Sequence, residues 1–250
     1  MLTRFLTITQ ALFLPEASDY VSSSPAETLS LVRSVEDSIF VKGLQKAARE
    51  NGISINVGIH EPGESGEKIK NTSIWIDEAG EIVQRYQKLH LFEMTLDNGI
   101  PARESDTSEE GDKILPPFRT PIGLVGLLIC FDLRFPEVGL SLKRQGAQII
   151  TYPSAFTVPT GRAHWEILLR ARAIETQSYV VAAAQAGQHN ETRVTYGHSL
   201  VVDPWGEVVA RLGGDFKGPE IATAEIDLSL VEKIRHAAPL KRRTDVYPKV

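Results

Sequence analysis

Residues 122–129 form a short, nearly unbroken run of Gly, Leu, Val and Ile. A run of that length with no polar face suits a strand covered on both sides, and such strands belong to sheets sheathed by helices. Strand-like and helix-like segments alternate along the rest of the chain, which gives the α/β class. The expected strands lie at 53–59, 148–152, 179–184, 199–202, 207–211 and 221–226, with a hairpin of 73–77 and 82–87 turning through Glu78-Ala79-Gly80-Glu81. One long helix is expected from Ser24-Pro25-Ala26-Glu27, a capping box with proline at the first helical position, through Phe40, Val41, Leu44 and Ala48 to a stop at Asn51-Gly52. Further helices follow Pro136 up to about Gly146, run around Trp165, Leu168, Leu169, Arg172 and Ala173, and cover about 228–236. Residues 90–117 lack periodicity, and a loop of that length in a compact unit is read as the wall of a site. With no repeat, low-complexity tract or linker, residues 1–250 read as one domain.

Composition narrows the function classes. A formal charge of -5 without a basic stripe gives no footprint for nucleic acid, and Lys241-Arg242-Arg243 reads as a solvated turn. A single cysteine cannot make an internal disulfide. No apolar stretch reaches the ~20 residues of a membrane span. The start, Met1 to Thr7, has a leader-like cast with one arginine, but it runs directly into Phe13-Leu14-Pro15-Glu16, so it is read as retained and the chain as cytoplasmic, or mitochondrial if the true start lies upstream. The six histidines include no His-Glu-x-x-His pair, and the glycines make no phosphate loop, so neither metal nor cofactor is expected.

The run at 122–129 ends on the only cysteine, Cys130, and a charged, proline-bearing turn follows at once in Phe131-Asp132-Leu133-Arg134-Phe135-Pro136-Glu137. Two other apolar runs also end on a charged group: Glu16 after Ala11-Leu12-Phe13-Leu14-Pro15, and Lys88 after Arg85-Tyr86-Gln87. Singly, these are a core thiol, an acid near a loop and a surface lysine. Together they are a nucleophile, a base and a cation at three strand ends. A thiol at neutral pH is only a few per cent thiolate, so Cys130 needs a base such as Glu16 or a nearby cation, and Lys88 is expected to lower its pKa. So activated, it should alkylate well below the pH of an ordinary thiol, as a buried structural thiol would not. The backbone N–H of Phe131 can supply a second donor to a developing oxyanion beside Lys88.

These three segments resemble the nitrilase (carbon-nitrogen hydrolase) superfamily, whose motifs are a Glu after a strand, a Lys after a strand and a Cys at a nucleophile elbow. Tyr152-Pro153-Ser154-Ala155-Phe156, His164 to Glu175, Tyr196-Gly197-His198-Ser199 and Asp203-Pro204-Trp205-Gly206 resemble its Nit branch, which holds the deaminated glutathione amidases and the omega-amidases. The resemblance implies a four-layer α-β-β-α sandwich, paired with further copies through a helix face as a homodimer or larger homo-oligomer. It implies a cysteine-dependent amidohydrolase acting on a small-molecule amide, cleaving deaminated glutathione to 2-oxoglutarate and cysteinylglycine through a thioester on Cys130. An omega-amidase acting on 2-oxoglutaramate is the neighbouring alternative. Glu104 matches a second glutamate that the family places beside the lysine. Arg134 is expected either to bind a substrate carboxylate or to tie the elbow to Asp132 or Glu137, and Ser154, Phe156 and Thr157 are expected to line the pocket. Too few residues precede Glu16 for the strand and helix that open the family fold, so this chain is expected to lack both. A non-catalytic scaffold on the same fold is the reading from another class.

Overall fold

The computed structural model describes residues 9–95 and 101–248. The leader-like start and positions 96–100 of the expected loop lie outside the described residues.

Ser24 caps helix α1 (Pro25–Leu31) as expected: its hydroxyl accepts from Glu27 N, while the Glu27 carboxylate reaches back one residue further than the capping-box rule, to Ser23 N. The single helix expected over 24–50 is instead two. The chain turns on itself after Leu31, with Asp37 N and Ser38 N both donating to Ser34 O, and Val35 is buried. Ser38 then caps a fresh helix, α2 (Ile39–Asn51), through Val41 N. Two serines that favour caps over helix interiors outweigh the continuous apolar stripe. Gly52 ends α2 in the left-handed region, φ +61°, as a glycine after a helix does.

Two sheets follow. The first carries β1 (Ala11–Phe13), β2 (Ser54–Pro62), β3 (Ile69–Ile76) and β4 (Ile82–Gln87) in that order, with β1 parallel to β2 and β2–β3 and β3–β4 antiparallel, and a fifth short strand, Ser108–Glu109, parallel to β3 at Ile69 and Lys70. The second has β5 (Phe118–Thr120), β6 (Gly123–Leu127), β7 (Ile149–Thr151), β8 (Tyr179–Ala182), β9 (Leu200–Val202) and β10 (Val208–Arg211), running from β5 at one edge to β10 at the other. Strands β6, β7 and β8 are parallel neighbours at its centre. As expected of central parallel strands, Val125, Leu127, Ile149, Ile150 and Val180 are buried.

The sheets face one another. Trp75 of β3 meets Phe13 and Phe118 edge-on at 5.8 and 5.5 Å between ring centroids. Helices cover the outer faces: α2 lays Val41 and Ala48 against Ile55, Val57 and Ile74, while α3 (Pro136–Arg144) and α4 (Val158–Thr176) place Leu142, Trp165 and Leu169 against the second sheet. This is the four-layer α-β-β-α arrangement.

One expected strand fails. Residues 221–226 carry an alternating pattern but join no ladder; Ile221 is exposed, Ile226 packs against the core, and the next residue, Asp227, donates its N–H to the Tyr179 hydroxyl at 3.2 Å. It leads into α5 (Leu228–Ala237), in which Val231 is buried. No helix is long and apolar enough to cross a membrane among the described residues.

Candidate active site

Glu16, Lys88 and Cys130 come from three separate strand ends and meet in one buried cluster. The turn bearing Glu16 is pinned to β2: Leu14 N donates to Asn56 O, Gly58 N to Pro15 O and Ser18 N to Gly58 O. Gly58 is required there, because a Cβ on it would stand 2.5 Å from the Glu16 Cα. From the other side Gln185 Nε2 donates to Glu16 O and Ala17 O, both at 3.0 Å. Lys88 follows β4, with its N–H on Asn71 O. Cys130 follows β6 at the start of a short 3₁₀ turn, Cys130–Arg134, with φ +41° and its N–H on Pro153 O. A non-glycine residue held in the left-handed region is a strained conformation that recurs at functional turns. That turn aims the side chain away from the sheet and into a cavity.

The cavity holds about 410 Å³ and has Glu16, Lys88, Glu104, Cys130, Phe131 and Arg134 on its wall. The Lys88 ammonium is 2 % exposed and donates to Glu16 Oε1 and to Glu104 Oε2, both at 2.8 Å. Asn71, on β3, bridges the same two carboxylates, to Glu16 at 2.8 Å and Glu104 at 2.9 Å, and Phe92 N gives Glu104 a third donor. Glu104 therefore sits where the resemblance placed it, beside the lysine. Asn71, Gln185 and the Ala155 N–H aimed at the Cys130 sulfur were missed, since nothing local to an asparagine in a strand or a glutamine in a loop marks such a contact.

The electrostatics assign protonation. Burial pushes the Glu16 carboxyl up, but the charge and hydrogen bond of Lys88, with those of Asn71, outweigh it and hold Glu16 below its ordinary value. Burial likewise opposes the Lys88 charge, yet Glu104 and Glu16 raise it well above the ordinary lysine value. The thiol goes the other way from the expected lowering by Lys88. Burial first and the negative Glu16 second push Cys130 up, and Lys88 offsets only part of this. The resting site is a thiol facing a carboxylate, with the lysine already committed to two acids. Alkylation follows from this: the rate at which iodoacetamide blocks Cys130 should climb with pH through 9.0, the ordinary thiol value, without levelling off. A plateau below neutral pH would establish a preformed thiolate instead.

The other expected residues divide. Phe131 borders the cavity, and its N–H has no acceptor among the described residues. Arg134 pairs with neither Asp132 nor Glu137. Its guanidinium stands beside the Phe131 and Phe156 rings, 5.6 and 5.9 Å from their centroids, and Nη2 is 3.2 Å from His164 Nδ1. Phe156 and Thr157 lie on the cavity wall. Ser154 does not: it is fully buried, with its hydroxyl donating to Tyr152 O. The stretch expected as a loop at 90–117 lines one wall, through Phe92, Arg103, Glu104, Thr107 and Ser108, but it is not loop throughout: Glu93–Thr95 pairs antiparallel with Pro101–Arg103, Glu104–Asp106 is a 3₁₀ turn and Ser108–Glu109 is a short strand.

Sequence and structure comparisons agree with this geometry. The carbon-nitrogen hydrolase family matches residues 9–236. The chain is 46% identical over 243 residues to the "Probable hydrolase nit2" of Schizosaccharomyces pombe, covering 96% of this chain and 88% of that protein. It is 48% identical over 241 residues to the deaminated glutathione amidase of Mus musculus, covering 94% and 73%. The crystal structure of the C. elegans NitFhit protein superposes with a TM-score of 0.91 at 42% identity, over 99% of this chain and 60% of that one. Similarity of this depth, over nearly the whole length, makes the chain a member of the carbon-nitrogen hydrolase family, on the Nit branch of the nitrilase superfamily.

Proposed function

We propose that the chain hydrolyses the amide bond of deaminated glutathione to 2-oxoglutarate and cysteinylglycine, with Cys130, Glu16 and Lys88 as the reacting groups. The observation that carries the reading is the meeting of the only thiol, an ionised carboxylate and a buried ammonium at one cavity wall. Glu16 takes the thiol proton as the sulfur attacks the amide carbonyl, so thiolate forms only as the bond forms. The oxyanion that develops is held by the Lys88 ammonium and the Phe131 N–H. One such donor is worth roughly 3–4 kcal/mol in other hydrolases. Glu16 returns the proton to the departing nitrogen, the C–N bond breaks and a thioester remains on Cys130. Glu16 then removes a proton from water, which attacks the thioester and releases the acid and the thiol. Glu104 and Asn71 hold Lys88 and Glu16 in place throughout.

The substrate follows from charge. Arg103, Arg134 and Arg193 all face the cavity, and none makes an ion pair with a carboxylate among the described residues. Three guanidiniums without a carboxylate partner around one cavity suit a ligand with a carboxylate at each end, as deaminated glutathione has and 2-oxoglutaramate does not. The name of the mouse relative agrees. Arg134, flanked by two rings, is the innermost candidate for a carboxylate.

The test is release of 2-oxoglutarate by the purified chain, with deaminated glutathione and 2-oxoglutaramate assayed side by side. The tripeptide-derived substrate should turn over with the higher kcat/KM, and Arg134→Met should raise its KM by about 10–100-fold, the worth of one charged hydrogen-bonded contact. A preference for the small amide would move the assignment to omega-amidase, and silence with both would favour the scaffold reading.

A further inference from the structure

Asp132 lies two residues after the nucleophile and is wholly buried. Its Oδ2 accepts from the Tyr86 hydroxyl at 2.7 Å and from Ile129 N at 3.0 Å; its Oδ1 accepts from His90 Nδ1 at 2.8 Å and His90 N at 3.1 Å. The donors fall in a pattern. Tyr86 and His90 flank Lys88 on the chain of the first sheet, and Ile129 precedes Cys130 on the chain of the second. The His90 ring is itself fixed, stacked on Phe135 with centroids 3.6 Å apart.

We propose that Asp132 is a positioning residue that fixes the Lys88 ammonium relative to the Cys130 sulfur across the boundary between the two sheets. A buried carboxylate is a poor way to gain stability, since apolar contacts of the same volume do as well or better. What four directional bonds add is register. Two sheets packed through apolar side chains alone can slip by fractions of an ångström, and misplacing a reacting group by about 1 Å costs on the order of a hundredfold in rate. Asp132 ties the residues two before and two after Lys88 to the residue before the nucleophile, so any slip must break hydrogen bonds. The inference rests on the hydrolytic reading, because it gives Lys88 and Cys130 a distance that matters.

Asp132→Asn presents an N–H₂ to donors that need an acceptor. It should lower kcat for deaminated glutathione by about a hundredfold with KM within about threefold. Tyr86→Phe removes one donor of the four, should fold where Asp132→Asn does not, and should cost about tenfold in kcat. Rates are taken per folded molecule, with the folded fraction read by near-ultraviolet circular dichroism. The deciding comparison places Tyr86→Phe in a Lys88→Met background. Residues acting through one another are not additive, so the double variant should be no slower than Lys88→Met alone. If the two losses multiply, or if Asp132→Asn and Tyr86→Phe turn over normally while Lys88→Met is slow, the positioning role is overturned and the hydrolytic reading stands. If Lys88→Met itself turns over like the wild type, the hydrolytic reading falls and the positioning role with it.

Discussion

Cys130→Ala should retain the fold and lose amide hydrolysis by about a millionfold in kcat, the scale seen when the nucleophile of another hydrolase is removed. The fold should survive for reasons visible around the residue. Alanine meets the φ of +41° with no greater strain than cysteine, since both carry a Cβ. The main-chain bond from residue 130 to Pro153 O is kept. The ion pairs of Lys88 with Glu16 and Glu104 do not involve the sulfur, and Glu16 loses a neighbour but keeps its cation. Deleting one buried heavy atom should cost no more than about 1–2 kcal/mol. Chemically, nothing nearby replaces the thiol, because it is the only cysteine in the chain. The check is 2-oxoglutarate release together with intact mass: wild type quenched during turnover should carry the acyl group on Cys130, and the variant none. A well-folded Cys130→Ala that works within tenfold of wild type would mean that the nucleophile is another group.

The resemblance of three strand ends carries that prediction from the sequence alone, and its limits are physical. An apolar run announces burial, so the strand ending on Cys130 and the α/β class are legible. It does not announce a ladder partner, which is why residues 221–226 read as a strand and instead join no ladder. Two cap-forming serines, Ser34 and Ser38, broke a helix that the apolar spacing of Phe40, Val41 and Leu44 would have carried through, because local side-chain bonds compete with periodicity. In the site, groups that react stand out by being charged where apolar residues are expected, as Glu16 and Lys88 do. Groups that only hold them do not. Asn71 lies in a strand that is otherwise ordinary, Gln185 is far along the chain from Glu16, and the four donors of Asp132 come from two sheets. The thiol pKa shows the same limit. Residue types suggested a cation lowering it; only the burial of Cys130 and the placement of Glu16 reveal that it is raised.

Lys88→Met is expected to have the second large effect, and it reaches stability as well as rate. In the wild type the ammonium stands between two carboxylates at 2.8 Å from each. Removing one partner of a buried ion pair costs about 3–5 kcal/mol, because the charges left behind have no water to turn to. The oxyanion also loses its cation, so kcat should fall by at least about 10²–10³-fold. The dependence on pH should reverse sign. Glu16 in the wild type lies below its ordinary 4.5; its stabilising contribution is therefore complete above that value and is lost as pH falls through the lowered one. In the variant the burial of Glu16 is opposed only by the hydrogen bonds of Asn71 and Cys130 and Glu104 faces it as a like charge, so its folded pKa is expected to rise above 4.5. A raised acid contributes fully below its unfolded value and loses that contribution as pH climbs through the folded one. Urea unfolding between pH 7 and pH 5 should thus find the wild type nearly level and Lys88→Met gaining stability as the medium is made more acid. A variant that instead weakened on acidification would show that Glu16 keeps its charge without Lys88, and that the lysine is not what holds the base ionised.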